Sequence, residues 1–168
     1  MNKDEIIGVF ENIARLLELK GENPFKIRAY LHAAKALETL AEPLEKLISE
    51  ERLVAVDGIG KATAEKIATL STTGRLDYYN DLLDEFPPDI LTLFDIQGLG
   101  GKKIKVLWDS LRIHSISGLE RACKDGRVAT LPGFQSEYRV VPLAAEHKAA
   151  VRAGRNVLRS RRLKGRRR

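Results

Sequence analysis

Two stretches of the chain pair glycines with lysines at a spacing that suits anion binding. Val56 to Lys61 reads VDGIGK, and Ile96 to Gly101 reads IQGLGG, followed by Lys102 and Lys103. In each copy an apolar residue separates two glycines. The first glycine of each, Gly58 or Gly98, admits a backbone with positive φ, and the second, Gly60 or Gly100, is expected to let another backbone come close. Ile59 and Leu99 are expected to point back and clamp the flanking helices. Such a turn leaves the first amides of the next helix without intrahelical acceptors. Those amides, with the helix dipole, suit a phosphate oxygen. Lys61, Lys102 and Lys103 fall in the first helical turn, where a cation opposes the dipole. A bound anion removes that conflict. Neither copy is a nucleotide P-loop or a dinucleotide turn, because no strand precedes it and no Gly-Lys-Ser/Thr follows.

Other chemistry finds little support. Cys123 is the single cysteine, so no internal disulfide forms, and it reads as a small residue on a helix face. His32, His114 and His147 are too scattered to read as a metal site. No run of about 18 apolar residues could span a membrane. The acidic N-terminal stretch lacks the order of a secretory signal, so a cytosolic location is the default expectation. The net charge of +6 is a property of the C-terminal end: ten of the 29 Lys and Arg residues lie from Lys148 onward, with no acid among them. Over residues 1–147 the remaining 19 face all 23 acids. Nucleic-acid binding by the body must therefore rest on local arrangement and not on overall charge.

The elements that must position the two turns are helices. Hydrophobic residues make up 43% of the 168 and aromatics only 6%, and no useful segment alternates with period two. The fold class is all-α. Asn2 and Glu5 form a capping-box pattern, and Ile6, Phe10, Ile13 and Leu17 recur at helical spacing to about Lys20. Asn23-Pro24 starts a second helix to about Leu40, with Ile27, Leu31, Ala34 and Leu37 expected on one face. A short helix is expected from Pro43 to Ser49. The first glycine turn then leads into a helix from Lys61 to about Ser71. The next helix offers Leu76, Tyr79, Leu82 and Leu83 for packing. Pro88 restarts a short helix, PDILTLF, before the second turn and a helix from about Lys102 to Leu111. Another helix spans Ile116 to Lys124 and ends at Gly126. Leu131-Pro132-Gly133-Phe134-Gln135 is a third, degenerate echo, with Gln135 in place of the second glycine. One more helix is expected from Ala144 to Arg159, and the basic end is expected to be partly disordered.

The two glycine turns resemble helix-hairpin-helix motifs, which grip DNA phosphates through backbone amides. NPFKIRAYLHAAKAL, VDGIGKATAEKI, TGRLDYYNDLLDEFPP, IQGLGGKKIKVL and LPGF, in this order, resemble the N-terminal part of bacterial family X DNA polymerases, the polymerase beta relatives. The resemblance covers about four-fifths of the chain. It implies a lyase-type helical domain over 1–84 with the first hairpin, and a fingers-type subdomain over 85–134 with the second. Residues 135–168 then form an atypical basic segment. It implies DNA contacts at Gly58, Ile59, Gly60 and Lys61, and at Gly98, Leu99, Gly100, Gly101, Lys102 and Lys103. It also implies a 5′-phosphate held by Lys26 and Tyr30, one helical turn apart. Lys66 matches the family's Schiff-base nucleophile, which needs a neutral amine. Small neighbours at Ala62 and Thr63 would leave room for a sugar. A further family lysine falls on Ala62, which weakens both the phosphate pocket and the lyase reading, with Lys61 next door as the substitute. The backbone carbonyls of Val54, Val56 and Ile59, and of Phe94, Ile96 and Leu99, match positions that hold a monovalent cation, Na+ or K+. No other cofactor is implied.

These 168 residues contain no Asp-x-Asp pair, so the two-metal ligands of nucleotidyl transfer are missing and the chain as it stands is not a polymerase. Three readings remain open. One is a non-sequence-specific DNA-binding module for gaps, nicks or ends, acting in base-excision repair. Another is a deoxyribose-phosphate lyase using Lys66. The last is a truncated, vestigial polymerase fragment. The implied partner is broken duplex DNA, without a membrane, and with a polymerase or repair protein as a candidate companion. DNA binding would place the protein at the bacterial nucleoid. The oligomeric state is left open.

Overall fold

The computed structural model describes residues 1–134. The expected helix over 144–159 and the basic end lie outside the described residues. The chain divides into two units, Met1–Pro88 and a second beginning at Asp89. Among the described residues every regular element is helical, as the absence of period-two patterning predicts.

The first unit is built on α1 (Lys3–Lys20). Asn2 accepts from the Glu5 amide at 2.9 Å and Glu5 returns a bond from the Asn2 amide at 2.8 Å, completing the capping box. Gly21, at φ 77°, ends the helix in the left-handed conformation that glycine takes without cost. α2 (Pro24–Glu38) starts at the Asn23 cap, whose side chain accepts from the Phe25 amide at 2.9 Å. α1 packs along α2 and also meets α4 (Lys61–Thr73) and α5 (Asp77–Asp84), while α3 (Leu44–Ser49) and the 3-10 turn Leu53–Ala55 lie between α2 and α4 in the chain. Ile6, Phe10, Ile13, Leu16 and Leu17 of α1, Leu37 of α2, and Ile67 and Leu70 of α4 are fully buried. Burying each such side chain contributes about 1.5–3 kcal/mol, far more than exposed ion pairs such as Lys20–Glu85 at 2.6 Å.

The buried face of α2 differs from the expected one. Tyr30, Ala33, Ala34 and Leu37 face the core, while Leu31 is 44% exposed. The stripe is rotated because Tyr30 packs edge-on against Phe10, with ring centroids 5.4 Å apart, and a large aromatic outweighs Leu31 in the same turn.

In the second unit, PDILTLF does not form an α-helix. Ile90–Asp95 is a 3-10 helix, and it buries Ile90 and Leu93. α6 (Gly101–Leu111) and α7 (Ile116–Lys124) follow, then the 3-10 turn Val128–Thr130. Ser115 caps α7 by accepting from the Gly118 amide at 3.2 Å. Ile104, Leu107, Leu119, Ala122, Val128 and Phe134 complete the core of this unit.

Candidate nucleic-acid interface

Both glycine turns have one geometry. A short 3-10 element, Leu53–Ala55 or Ile90–Asp95, feeds a tight turn. Ile59 donates to the Val56 carbonyl at 3.1 Å, and Leu99 donates to the Ile96 carbonyl at 3.0 Å. Gly58 and Gly98 sit at φ 88° and 81°, where a Cβ is strained. Ile59 and Leu99 are buried, as their clamping role requires. The third echo repeats this geometry up to its first glycine. Val128–Thr130 precedes it, Gly133 has φ 81°, and Phe134 donates to Leu131 at 3.2 Å. Its Gln135 lies outside the described residues.

Close approach of backbones falls on a different glycine from the expected one. A Cβ on Gly58 would lie 3.2 Å from the His32 carbonyl of α2, so the first glycine of the first turn both reverses the chain and packs tightly. Gly60 and Gly100 meet no backbone: a Cβ would find only Thr63 Oγ1 at 3.9 Å in one case and nothing within 4 Å in the other. Both are N-caps in ordinary extended conformation, φ −82° and −84°. Neither steric nor conformational need within the chain explains a glycine there. Neither provides a side-chain cap. The α4 and α6 N-termini therefore present their first amides, those of Lys61 and Ala62 and of Gly101 and Lys102, ahead of any intrahelical acceptor. Gly60 and Gly100 carbonyls accept from the third and fourth helical amides, at 2.9–3.1 Å, and Gly60 also accepts from the Thr63 hydroxyl at 2.8 Å.

Lys61 and Lys102 are exposed beside these amides, whereas Gly101 is buried in the first turn of α6. Lys103 reaches back, donating to the Gly98 carbonyl at 3.2 Å, with its Nζ 5.9 Å from the Phe134 ring centroid. The carbonyls named as cation ligands are neutral oxygen donors, which suit a hard monovalent ion. Val56 and Ile96 carbonyls already accept the turn bond, leaving one lone pair each for an ion. Val54 is 55% exposed and Phe94 half-buried.

Lys26, Tyr30 and Lys66, far apart in sequence, come together around a residue that sequence reasoning did not single out. Tyr78 of α5 stacks on Tyr30, with centroids 6.3 Å apart and planes 9° apart. Lys26 Nζ lies 5.6 Å and Lys66 Nζ 5.5 Å from the Tyr78 ring centroid. Lys66 also donates to the Ala62 carbonyl at 3.3 Å, and Lys26 lies 3.7 Å from Glu22. Tyr30 is 5% exposed, and burial, then the neighbouring Tyr78, raises its phenol well above the ordinary value. The Tyr78 hydroxyl is buried without a hydrogen-bond partner. Phe25, one residue before Lys26, is 74% exposed, and the Arg28 guanidinium lies 4.7 Å over its ring. An aromatic directly after an Asn-Pro helix start was the available signal for it. Cys123 is half-buried on α7, where burial raises its thiol, as its reading as a small helix-face residue implies. Among the described residues no helix is long and apolar enough to cross a membrane.

Comparison with known proteins agrees with this geometry. A family profile described as a helix-hairpin-helix domain matches residues 1–76, which include the first turn and all of α4. The chain is 36% identical over 148 residues to the DNA polymerase/3′-5′ exonuclease PolX of Bacillus subtilis (strain 168). That match covers 87% of this chain and 25% of the relative, so the chain spans about a quarter of that protein's length. With two glycine turns of one geometry and this likeness, the chain is a helix-hairpin-helix protein related to the N-terminal region of family X DNA polymerases.

Proposed function

We propose that the chain is a non-sequence-specific DNA-binding module that holds backbone phosphates at gaps, nicks or ends, in support of family X polymerase and base-excision repair chemistry. The observation that carries this reading is the pair of uncapped helix N-termini, each behind a Gly-x-Gly turn and each flanked by lysine. Amides and a helix dipole bind a phosphate oxygen whatever the base, so such contacts position a duplex without reading it. A monovalent cation on the carbonyls of Val54, Val56 and Ile59, and of Phe94, Ile96 and Leu99, would add positive charge beneath each turn. Lys26 and Lys66 supply a second contact, to the terminal phosphate of a gap. Phe25 with Arg28 offers a face on which an unpaired base stacks.

Lys66 is assigned to phosphate contact. Its two neighbours, a carbonyl and a ring face, are partners for an ammonium. The lyase reading needs the neutral amine instead.

Equilibrium binding to gapped and intact duplexes across a salt series tests the proposal. Gapped DNA is expected to bind more tightly, with log affinity falling linearly as log salt rises. Equal weak binding to both would refute it. Borohydride treatment with an incised abasic duplex is expected to trap no adduct. An adduct that disappears in Lys66→Ala would transfer the assignment to the lyase.

A further inference from the structure

The third glycine turn has no part in either grip. At its apolar place, which Ile59 and Leu99 fill in the other turns, stands Phe134. Gly133, at φ 81°, turns the chain back, and Phe134 is 7% exposed, its amide donating to the Leu131 carbonyl at 3.2 Å. The ring is therefore fixed in the second unit. Its partner is Lys103, whose Nζ lies 5.9 Å from the ring centroid and donates to the Gly98 carbonyl at 3.2 Å. Lys103 is the third residue of α6, where the helix dipole opposes a cation. Ring and carbonyl offset that cost and hold a long, flexible side chain against the second turn.

The first turn is built differently. Matched residue by residue, Lys103 falls on Thr63 and Gln97 on Asp57. Thr63 is 7% exposed and donates its hydroxyl to the Gly60 carbonyl at 2.8 Å. Asp57 is exposed. Residues 56–63 thus carry one acid and one lysine, whereas residues 96–103 carry two lysines and no acid. A phosphate at the first turn meets charges that cancel, and at the second it meets charges that add.

We propose that Phe134 and the Gly98 carbonyl seat the Lys103 ammonium as the resident cation of the second turn, so that this turn holds a DNA phosphate without an inorganic ion while the first turn depends on one. The inference rests on the reading of this chain as a DNA-binding module. Lys103 supplies the charge, and Phe134 is a positioning residue that acts through it. The degenerate third turn thereby serves the second. The carbonyls of Val54, Val56 and Ile59 are the set at which an ion decides the grip.

The test measures binding of the full chain to one gapped duplex in sodium chloride and in N-methylglucamine chloride of equal ionic strength. The organic cation is too large to sit among carbonyls. Gly60→Asp disables the first turn and leaves the second, and Gly100→Asp does the reverse. Gly100→Asp is expected to lose about tenfold in affinity when sodium is replaced, the scale of one charge-assisted contact. Gly60→Asp should lose nothing. Adding Lys103→Thr to Gly60→Asp copies the first turn and should confer the sodium dependence. Adding Phe134→Leu should do so too, whereas Phe134→Tyr, which keeps the ring, should not. Proton NMR of the unaltered chain gives an independent reading: the Lys103 ε-methylene signals should be ring-shifted upfield. If Phe134→Leu fails to fold by circular dichroism, that shift and Lys103→Thr decide the matter. Sodium dependence in Gly60→Asp, its absence in Gly100→Asp, ion-independent binding after Lys103→Thr, or unshifted Lys103 signals would each overturn the inference and leave the DNA-binding reading standing. No binding by the unaltered chain in sodium would overturn that reading and this inference with it.

Discussion

Gly58 and Gly98 occupy matching places in their turns, yet the molecule holds them differently. Both sit at positive φ, so alanine at either position carries backbone strain of about 1–2 kcal/mol. Only at Gly58 would the new Cβ also press on the α2 backbone, 3.2 Å from the His32 carbonyl. Gly58→Ala is therefore expected to lower stability more than Gly98→Ala. Urea denaturation of the two variants measures the difference, and equal losses would contradict it. Tyr30 yields a pH prediction. Its folded phenol is raised above the ordinary tyrosine value near 10, so the unfolded chain releases that proton first. Stability from this group is complete below about pH 10 and falls as pH rises further. Alkaline unfolding monitored by tyrosinate absorbance should show this loss, and Tyr30→Phe should reduce it. Of the residues discussed, Lys26, Tyr30 and Lys66 were legible in the sequence through a resemblance. Tyr78 was not, because neighbours across three helices leave no spacing signal.

At the scale of the element, the N-terminus of a helix matters more than its length. α4 and α6 begin at glycine caps that offer no side-chain acceptor to the first helical amides. An aspartate cap fits both backbones, because φ is −82° and −84° and a Cβ meets nothing closer than 3.9 Å. It would satisfy an orphan amide and favour the dipole. Gly60→Asp and Gly100→Asp are expected to hold or raise stability by a few tenths of a kcal/mol. They should also lower DNA affinity about tenfold each, because a carboxylate takes the phosphate's place. Thermal melts and fluorescence anisotropy report the two effects separately. Loss of affinity together with loss of fold would argue against the grip. Helix starts were readable from Asn2, Asn23-Pro24 and the two Gly-x-Gly turns because caps are local. The 3-10 form of Ile90–Asp95 was not. Its apolar spacing suits either helix, and packing of Ile90 and Leu93 selected the tighter one.

For the whole molecule, charge and grip are separable. Residues 148–168 carry ten basic side chains and no acid, and removing them takes the net charge from +6 to about −4. Deleting them is expected to flatten the salt dependence of binding, because fewer counterions are released. Preference for gapped over intact duplex should persist, since it belongs to the turns and to Lys26 and Lys66. Disappearance of all gap preference in the deletion would place recognition in the basic end instead. The sequence by itself determined the all-α class, the helix starts and the repeat of the glycine turn. Each depends on residues within a few positions of one another, where periodicity, capping and glycine conformation act. Tertiary structure alone decided that α2 buries Tyr30 and exposes Leu31. It also decided that Gly58 takes the close approach expected of Gly60, and that Lys26 and Lys66 meet over Tyr78. Each of those depends on which helix lies against which, and packing sets that only once the chain has closed on itself.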